Sequence, residues 1–173
     1  MDGDFACLIV ADESPEFPAA LTYAALLAKN AGWRLVMLRA VEPSEPAPWA
    51  SISEEIRRQA QLAAESLTQR FAAEIWAECG ITPQAVIREG DLRPELKKLL
   101  DEDPAIKMVV LASAAGAGGP GPLVASLAKG QGFGARGVPV VVVPGNLTKE
   151  EVRQLAVSLG AASPSNPSPA PSA

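Results

Sequence analysis

The sequence predicts an α/β domain: a doubly wound, five-stranded parallel sheet with helices on both faces. Three observations predict it. Apolar runs of strand length alternate with segments whose apolar residues recur at helical spacing, the signature of strand–helix–strand units joined by right-handed crossovers. The first of these runs, Phe5 to Ala11, is apolar throughout rather than alternating, as expected of a strand covered on both sides. The fourth run, Ile106 to Ala112, then breaks into Ser113-Ala114-Ala115-Gly116-Ala117-Gly118-Gly119-Pro120-Gly121, a loop almost without side chains. At 173 residues, with no internal repeat, the chain fits one domain.

The first strand is Phe5 to Ala11, stopped by the turn signal Asp12-Glu13-Ser14-Pro15. Leu21, Ala24, Ala25 and Ala28 mark the first helix, with Pro18 in its first turn and Gly32 at its end. Trp33 to Val41 is the second strand, and Glu42 to Pro48 a proline-rich loop. A long helix follows, started by a capping box of Ser51 and Glu54. Its apolar stripe is Ile52, Ile56, Ala60, Ala63, Leu67, Phe71 and Ile75, and Gly80 ends it. Gln84 to Arg88 is the third strand. The third helix carries Leu92, Leu96, Leu99 and Leu100, with Asp91 as cap and Asp103-Pro104 as breaker. The fourth strand and its glycine loop lead into a weak helix, Leu123 to Lys129. The fifth strand is Val138 to Val143, and its free edge invites pairing with a second copy. Thr148 and Glu151 form a capping box for a last helix reaching about Leu159.

Composition narrows the function. With no histidine, Ser–His and Cys–His nucleophile pairs and the commonest metal ligand are absent. There is no Walker A lysine, no G-x-S-x-G elbow, no zinc spacing and no carboxylate pair with a clear pocket role. The sequence therefore reads as a non-enzyme, without metal. Net charge is −5, which gives no attraction for nucleic acid or an anionic membrane surface. No stretch is long and apolar enough to span a bilayer, and the acidic start Met1-Asp2-Gly3-Asp4 does not read as a signal peptide. A cytoplasmic protein is expected, and a disulfide between Cys7 and Cys79 is not.

In a doubly wound sheet, ligands bind beyond the carboxyl ends of the strands, where strand order reverses. Asp12, Val41 and the glycine loop all follow strand ends and so share that edge. Asp12 could accept a hydrogen bond from a ligand, or cap the first helix, a role Ser14 could also fill. Val41 could line a pocket or pack in the core. The glycines could cradle phosphate through their N–H groups, or serve only as a flexible link. Ser126 is a candidate phosphate donor. No Lys or Arg stands in the loop; Lys129 and Arg136 are the nearest downstream.

These residues, in this order, resemble the universal stress protein family. Leu8-Ile9-Val10-Ala11-Asp12-Glu13-Ser14-Pro15 looks like that family's first strand and turn, and Gly90-Asp91 like the pair before its third helix. Val109-Val110-Leu111-Ala112-Ser113 is similar to its fourth strand, and Pro139-Val140-Val141-Val142-Val143 to its last. The resemblance covers roughly residues 5–144. It implies a Rossmann-like regulatory module that dimerises through the edge of the fifth strand and binds ATP or another adenine nucleotide as a stress-response signal. Adenine would contact Asp12 and Val41. The phosphate loop of the family follows the pattern G-x-x-G, nine residues, then G-[ST]. Without gaps these positions fall on Ala112, Ala115, Ala125 and Ser126, so three glycines have become alanine. An alanine Cβ disfavours positive φ by about 1 kcal/mol. Gly116, Gly118, Gly119 and Gly121 offer a substitute cradle, although Pro120 and Pro122 remove two N–H donors. The expected binding set is Ala11, Asp12, Val41, Ala112, Gly116, Gly118, Gly119, Gly121 and Ser126. The alternatives are an interaction protein of the same fold that has lost the nucleotide and, more distantly, a weak ATPase. The expected division is a domain over 1–146, a helical extension over 147–159 and a disordered tail over 160–173.

Overall fold

The structure is a computed structural model and describes residues 4–43 and 49–161. Its elements alternate as expected: β1 (Ala6–Val10), α1 (Phe17–Ala31), β2 (Arg34–Val41), α2 (Ala50–Cys79), β3 (Gln84–Glu89), α3 (Leu92–Glu102), β4 (Ile106–Ser113), α4 (Pro122–Ala128), β5 (Val140–Pro144) and α5 (Lys149–Ala161). The five strands form one parallel sheet in the order β3-β2-β1-β4-β5. β1 is central: Leu8 lies beside Val36 of β2 and Val109 of β4.

The pleat explains why β1 is apolar at every position. Cys7, Ile9 and Ala11 enter one core with Phe17, Leu21 and Ala25 of α1 and Leu67, Phe71 and Ile75 of α2. Ala6, Leu8 and Val10 enter a second core with Leu96, Leu99 and Leu100 of α3, against which Leu123, Val124 and Leu127 of α4 pack. Each fully buried Leu, Ile, Val or Phe of these cores contributes about 1.5–3 kcal/mol. Phe17 and Phe71 lock α1 to α2, their rings 4.7 Å apart and tilted by 60°. Cys7 and Cys79 are both buried in the first core as free thiols.

α5 packs on α1, burying Val152 and Ala156. Its capping box forms as the sequence predicts. The Thr148 N–H donates to Glu151 Oε2 at 2.8 Å, and the Glu151 N–H to Thr148 Oγ1 at 3.2 Å. Lys149 and Arg153 reach Glu78 at the end of α2, at 2.8 and 3.1 Å, and the Thr22 hydroxyl donates to the same carboxylate. α5 therefore closes the α1–α2 face.

Four local expectations fail. α2 begins at Ala50 behind an extended Trp49, with no side-chain cap, so Ser51 and Glu54 lie inside the helix and form no capping box. Ile52 and Ile56 are exposed and Ala63 is not buried; only from Ala64 onward does the stripe enter the core. A helix of 30 residues spans about 45 Å and outruns the strand it covers. Asp91 occupies the N-cap of α3 but makes no side-chain capping bond. Of the loop expected over Glu42 to Pro48, residues 44–48 lie outside the described residues, as do residues 162–173 of the tail expected over 160–173. The last helix runs to Ala161, past its expected end.

Candidate functional site

Strand order reverses between β1 and β4, so the carboxyl ends of these strands open a crevice. Two cavities lie there, sharing Asp12 and Leu92 in their walls. The larger, about 440 Å³, stands between the ends of β1 and β2 and the middle of α2. Ala11, Asp12 and Val41 line it, and Ala60, Ala64 and Leu67 of α2 form its apolar wall. The smaller, about 110 Å³, lies along the loop after β4 and is lined by Ala112, Pro120, Gly121 and Pro122 among others.

Asp12 sits at the junction. The Ser14 N–H donates to its Oδ1 at 2.9 Å, closing a tight turn. Neither Asp12 nor Ser14 caps α1, whose N-cap is Glu16 without a side-chain cap bond. Arg39 also lines the larger cavity. Its guanidinium donates to the Ala11 carbonyl at 3.3 Å and lies 3.5 Å from Glu13, while its buried Nε has no partner. The sequence reading missed Arg39. The signal was there: one cation in the apolar run Leu35-Val36-Met37-Leu38-Arg39-Ala40-Val41.

The glycine loop is only partly gathered at the crevice. Gly116, Gly119 and Gly121 adopt positive φ of 138°, 83° and 92°, conformations that suit glycine. Ala112 and Gly121 line the smaller cavity; Gly116, Gly118 and Gly119 line neither cavity. Ser126 is engaged within the fold: its hydroxyl donates to the Pro122 carbonyl at 2.9 Å and accepts from Arg93 Nη1 at 3.1 Å. Arg93 also donates to Gln131 at 2.7 Å. Arg136 serves the fold too, donating to the carbonyls of Leu100 and Asp103 at 3.0 Å each.

The start of the loop is held by residues distant in sequence. The Ala115 N–H donates to Glu16 Oε1 at 3.4 Å. Gly145, just past β5, packs so closely that an added Cβ would stand 2.3 Å from the Ser113 carbonyl oxygen and 2.7 Å from the Ala115 nitrogen.

Among the described residues, no group of three or more His, Cys, Asp or Glu side chains could hold a metal ion, and no helix is long and apolar enough to cross a membrane. Burial pushes the Cys7 thiol up to about 12, which leaves it protonated and unreactive.

Comparison with known proteins bears on this geometry. The sequence model described as "Universal stress protein family" matches residues 6–130. No curated protein matches the sequence significantly. Among solved structures, the universal stress protein UspA from Lactobacillus plantarum superposes with a TM-score of 0.67 at 16% identity, covering 81% of this chain and 97% of that one. A universal stress protein solved in complex with cAMP gives 0.60 at 15% identity, covering 83% and 99%. A universal stress protein family protein from Arabidopsis thaliana solved with AMP bound gives 0.55 at 14%, covering 81% and 91%. At such identities the structural likeness is one of fold.

Proposed function

The chain belongs to the universal stress protein family, and from that premise we propose that it is a regulatory module without catalytic activity that binds an adenine nucleotide. The observation that carries the reading is the 440 Å³ cavity at the end of β1 and β2, where Asp12 and Val41 meet the apolar wall of α2. Its volume lies within the usual range for small-molecule sites, as does its makeup of an apolar wall with a few polar groups. In this reading Val41 and Leu67 pack against the base. Asp12, with one carboxylate oxygen on the Ser14 N–H, accepts from the adenine amino group or a ribose hydroxyl. Occupancy is read out as a change in partner contacts. Solved members of this fold with cAMP and AMP bound support the ligand class.

The same reading includes a homodimer through β5. This strand is at the edge of the sheet, and its unpaired N–H and C=O groups are a template for a second copy. Light scattering should then give twice 17.9 kDa; a mass of one chain would count against the interface.

A second reading, an interaction module of the same fold without a nucleotide, is favoured by the alanines at 112, 115 and 125 and by the engagement of Ser126 with Arg93. One experiment separates the two. Protein purified under native conditions is denatured, and released ATP, ADP or AMP is sought; adenine nucleotides are then titrated calorimetrically into wild type and Asp12→Ala. Released nucleotide, or heat that the variant loses, supports the first reading. Neither, up to millimolar nucleotide, leaves the second.

A further inference from the structure

The two cavities differ in size and in charge, and the difference concerns which part of a nucleotide the site tolerates. The smaller cavity is the continuation of the larger past Asp12 and Leu92. Its 110 Å³ is a quarter of the 440 Å³ of the larger cavity. Among the described residues, none of its lining residues is a cation, and Pro120 and Pro122 bring no N–H.

The surrounding charges are of the wrong sign for a polyphosphate. Among the described residues, the charged ones lining the two cavities are Asp12, Glu13, Glu42 and Arg39, and this one cation already lies on Glu13. Arg57 and Arg58, beyond Val41, are paired with Glu89 and Glu55 at 2.7 and 2.8 Å. Arg93 is shared between Ser126 and Gln131. At the start of the loop a fourth carboxylate, Glu16, accepts from the Ala115 N–H at 3.4 Å. Glu16 does not stand there loosely. Its Cγ lies 2.6 Å from where a Cβ on Gly145 would be, so its stem is packed against the end of β5.

We infer that this site takes the nucleoside end of its ligand and rejects the polyphosphate end: the preferred occupant is an adenine nucleoside or its monophosphate, and Glu16 is the residue that sets the limit. The inference rests on the adenine-binding reading above. Each added phosphate brings negative charge toward Asp12, Glu16 and Glu42, none of which forms an ion pair among the described residues, and at low ionic strength that repulsion is weakly screened.

The test is a calorimetric series of adenosine, AMP, ADP and ATP with the full chain, without divalent metal, at low and at moderate salt. Adenosine or AMP should bind at least tenfold more tightly than ATP, and added salt should narrow the gap. Glu16→Gln should narrow the ratio of adenosine to ATP affinity at least threefold, and Glu16→Lys further. ATP binding as tightly as adenosine in wild type, or a ratio unmoved by both substitutions, overturns the inference while leaving adenine binding intact. Absence of heat with every member of the series, adenosine included, overturns the adenine-binding reading and the inference with it.

Discussion

Gly145→Ala is a small change with a large expected effect. An alanine Cβ there meets the Ser113 carbonyl oxygen at 2.3 Å, Glu16 Cγ at 2.6 Å and the Ala115 nitrogen at 2.7 Å, where ordinary contact begins at 3.4 Å. Two of the three obstructing atoms are backbone, so no rotamer change relieves the clash. The end of β5 and the loop after β4 must separate by about 1 Å. Overpacking of this kind costs about 1–3 kcal/mol, and backbone obstruction places this case at the upper end. For a chain of this size each kcal/mol lowers Tm by about 2–4 °C, so thermal unfolding followed by circular dichroism should show a fall of roughly 6–12 °C. Gly134→Ala is the control: its Cβ would meet nothing closer than 3.4 Å, and its Tm should stay within about 2 °C of wild type. A Gly145→Ala protein melting within 2 °C of wild type would refute the argument that this glycine exists to let β5 approach the loop. The same variant should also disturb the contact between Glu16 and Ala115.

Glu78 and Cys7 carry two further predictions. Burial raises the pKa of Glu78, but the hydrogen bonds and charges of Lys149 and Arg153 outweigh it and hold it below the usual 4.5. The folded state therefore binds fewer protons at this group than the unfolded chain, and its stabilisation is present above pH 4.5 and lost as pH falls through the folded value. Glu78→Gln should cost on the order of 1 kcal/mol at pH 7, measured by urea unfolding, with the difference from wild type shrinking below pH 4. A penalty that stays constant down to pH 3 would contradict the ion-pair account. Cys7, fully buried with its thiol pushed up to about 12, and the buried Cys79 should react with a colorimetric thiol reagent at pH 8 only on unfolding; prompt reaction of either would contradict their burial.

Much of the fold was legible because the central strand β1 is apolar on both faces, as a strand covered on both sides must be, and because strand and helix patterns alternate along the chain. The failures arise where tertiary context decides. Ile52 and Ile56 keep the helical period that buries Leu67 and Phe71, yet α2 extends past the sheet and leaves them exposed. Nothing in the local sequence reports where a sheet ends. Asp12 and Val41 could be placed at the crevice because both follow strand ends, and strand ends converge in a doubly wound sheet. Glu16 could not: its partner, Ala115, is 99 residues away, and the packing of α1 against β4 and β5 brings the segments together. Of the loop glycines, Gly116 and Gly119 shape the backbone without reaching the cavities. A glycine serving conformation and a glycine serving a ligand look alike in a sequence.

The central claim is that the cavity beside Asp12 recognises an adenine nucleoside or nucleotide, and calorimetric titration of AMP into wild type and Asp12→Ala tests it most directly. Loss of a hydrogen bond to a charged group weakens binding by about 1.5–3 kcal/mol. The account predicts saturable heat with wild type and affinity reduced roughly tenfold or more in the variant. Saturable binding that Asp12→Ala leaves unchanged, or no binding by wild type up to millimolar AMP, would contradict it.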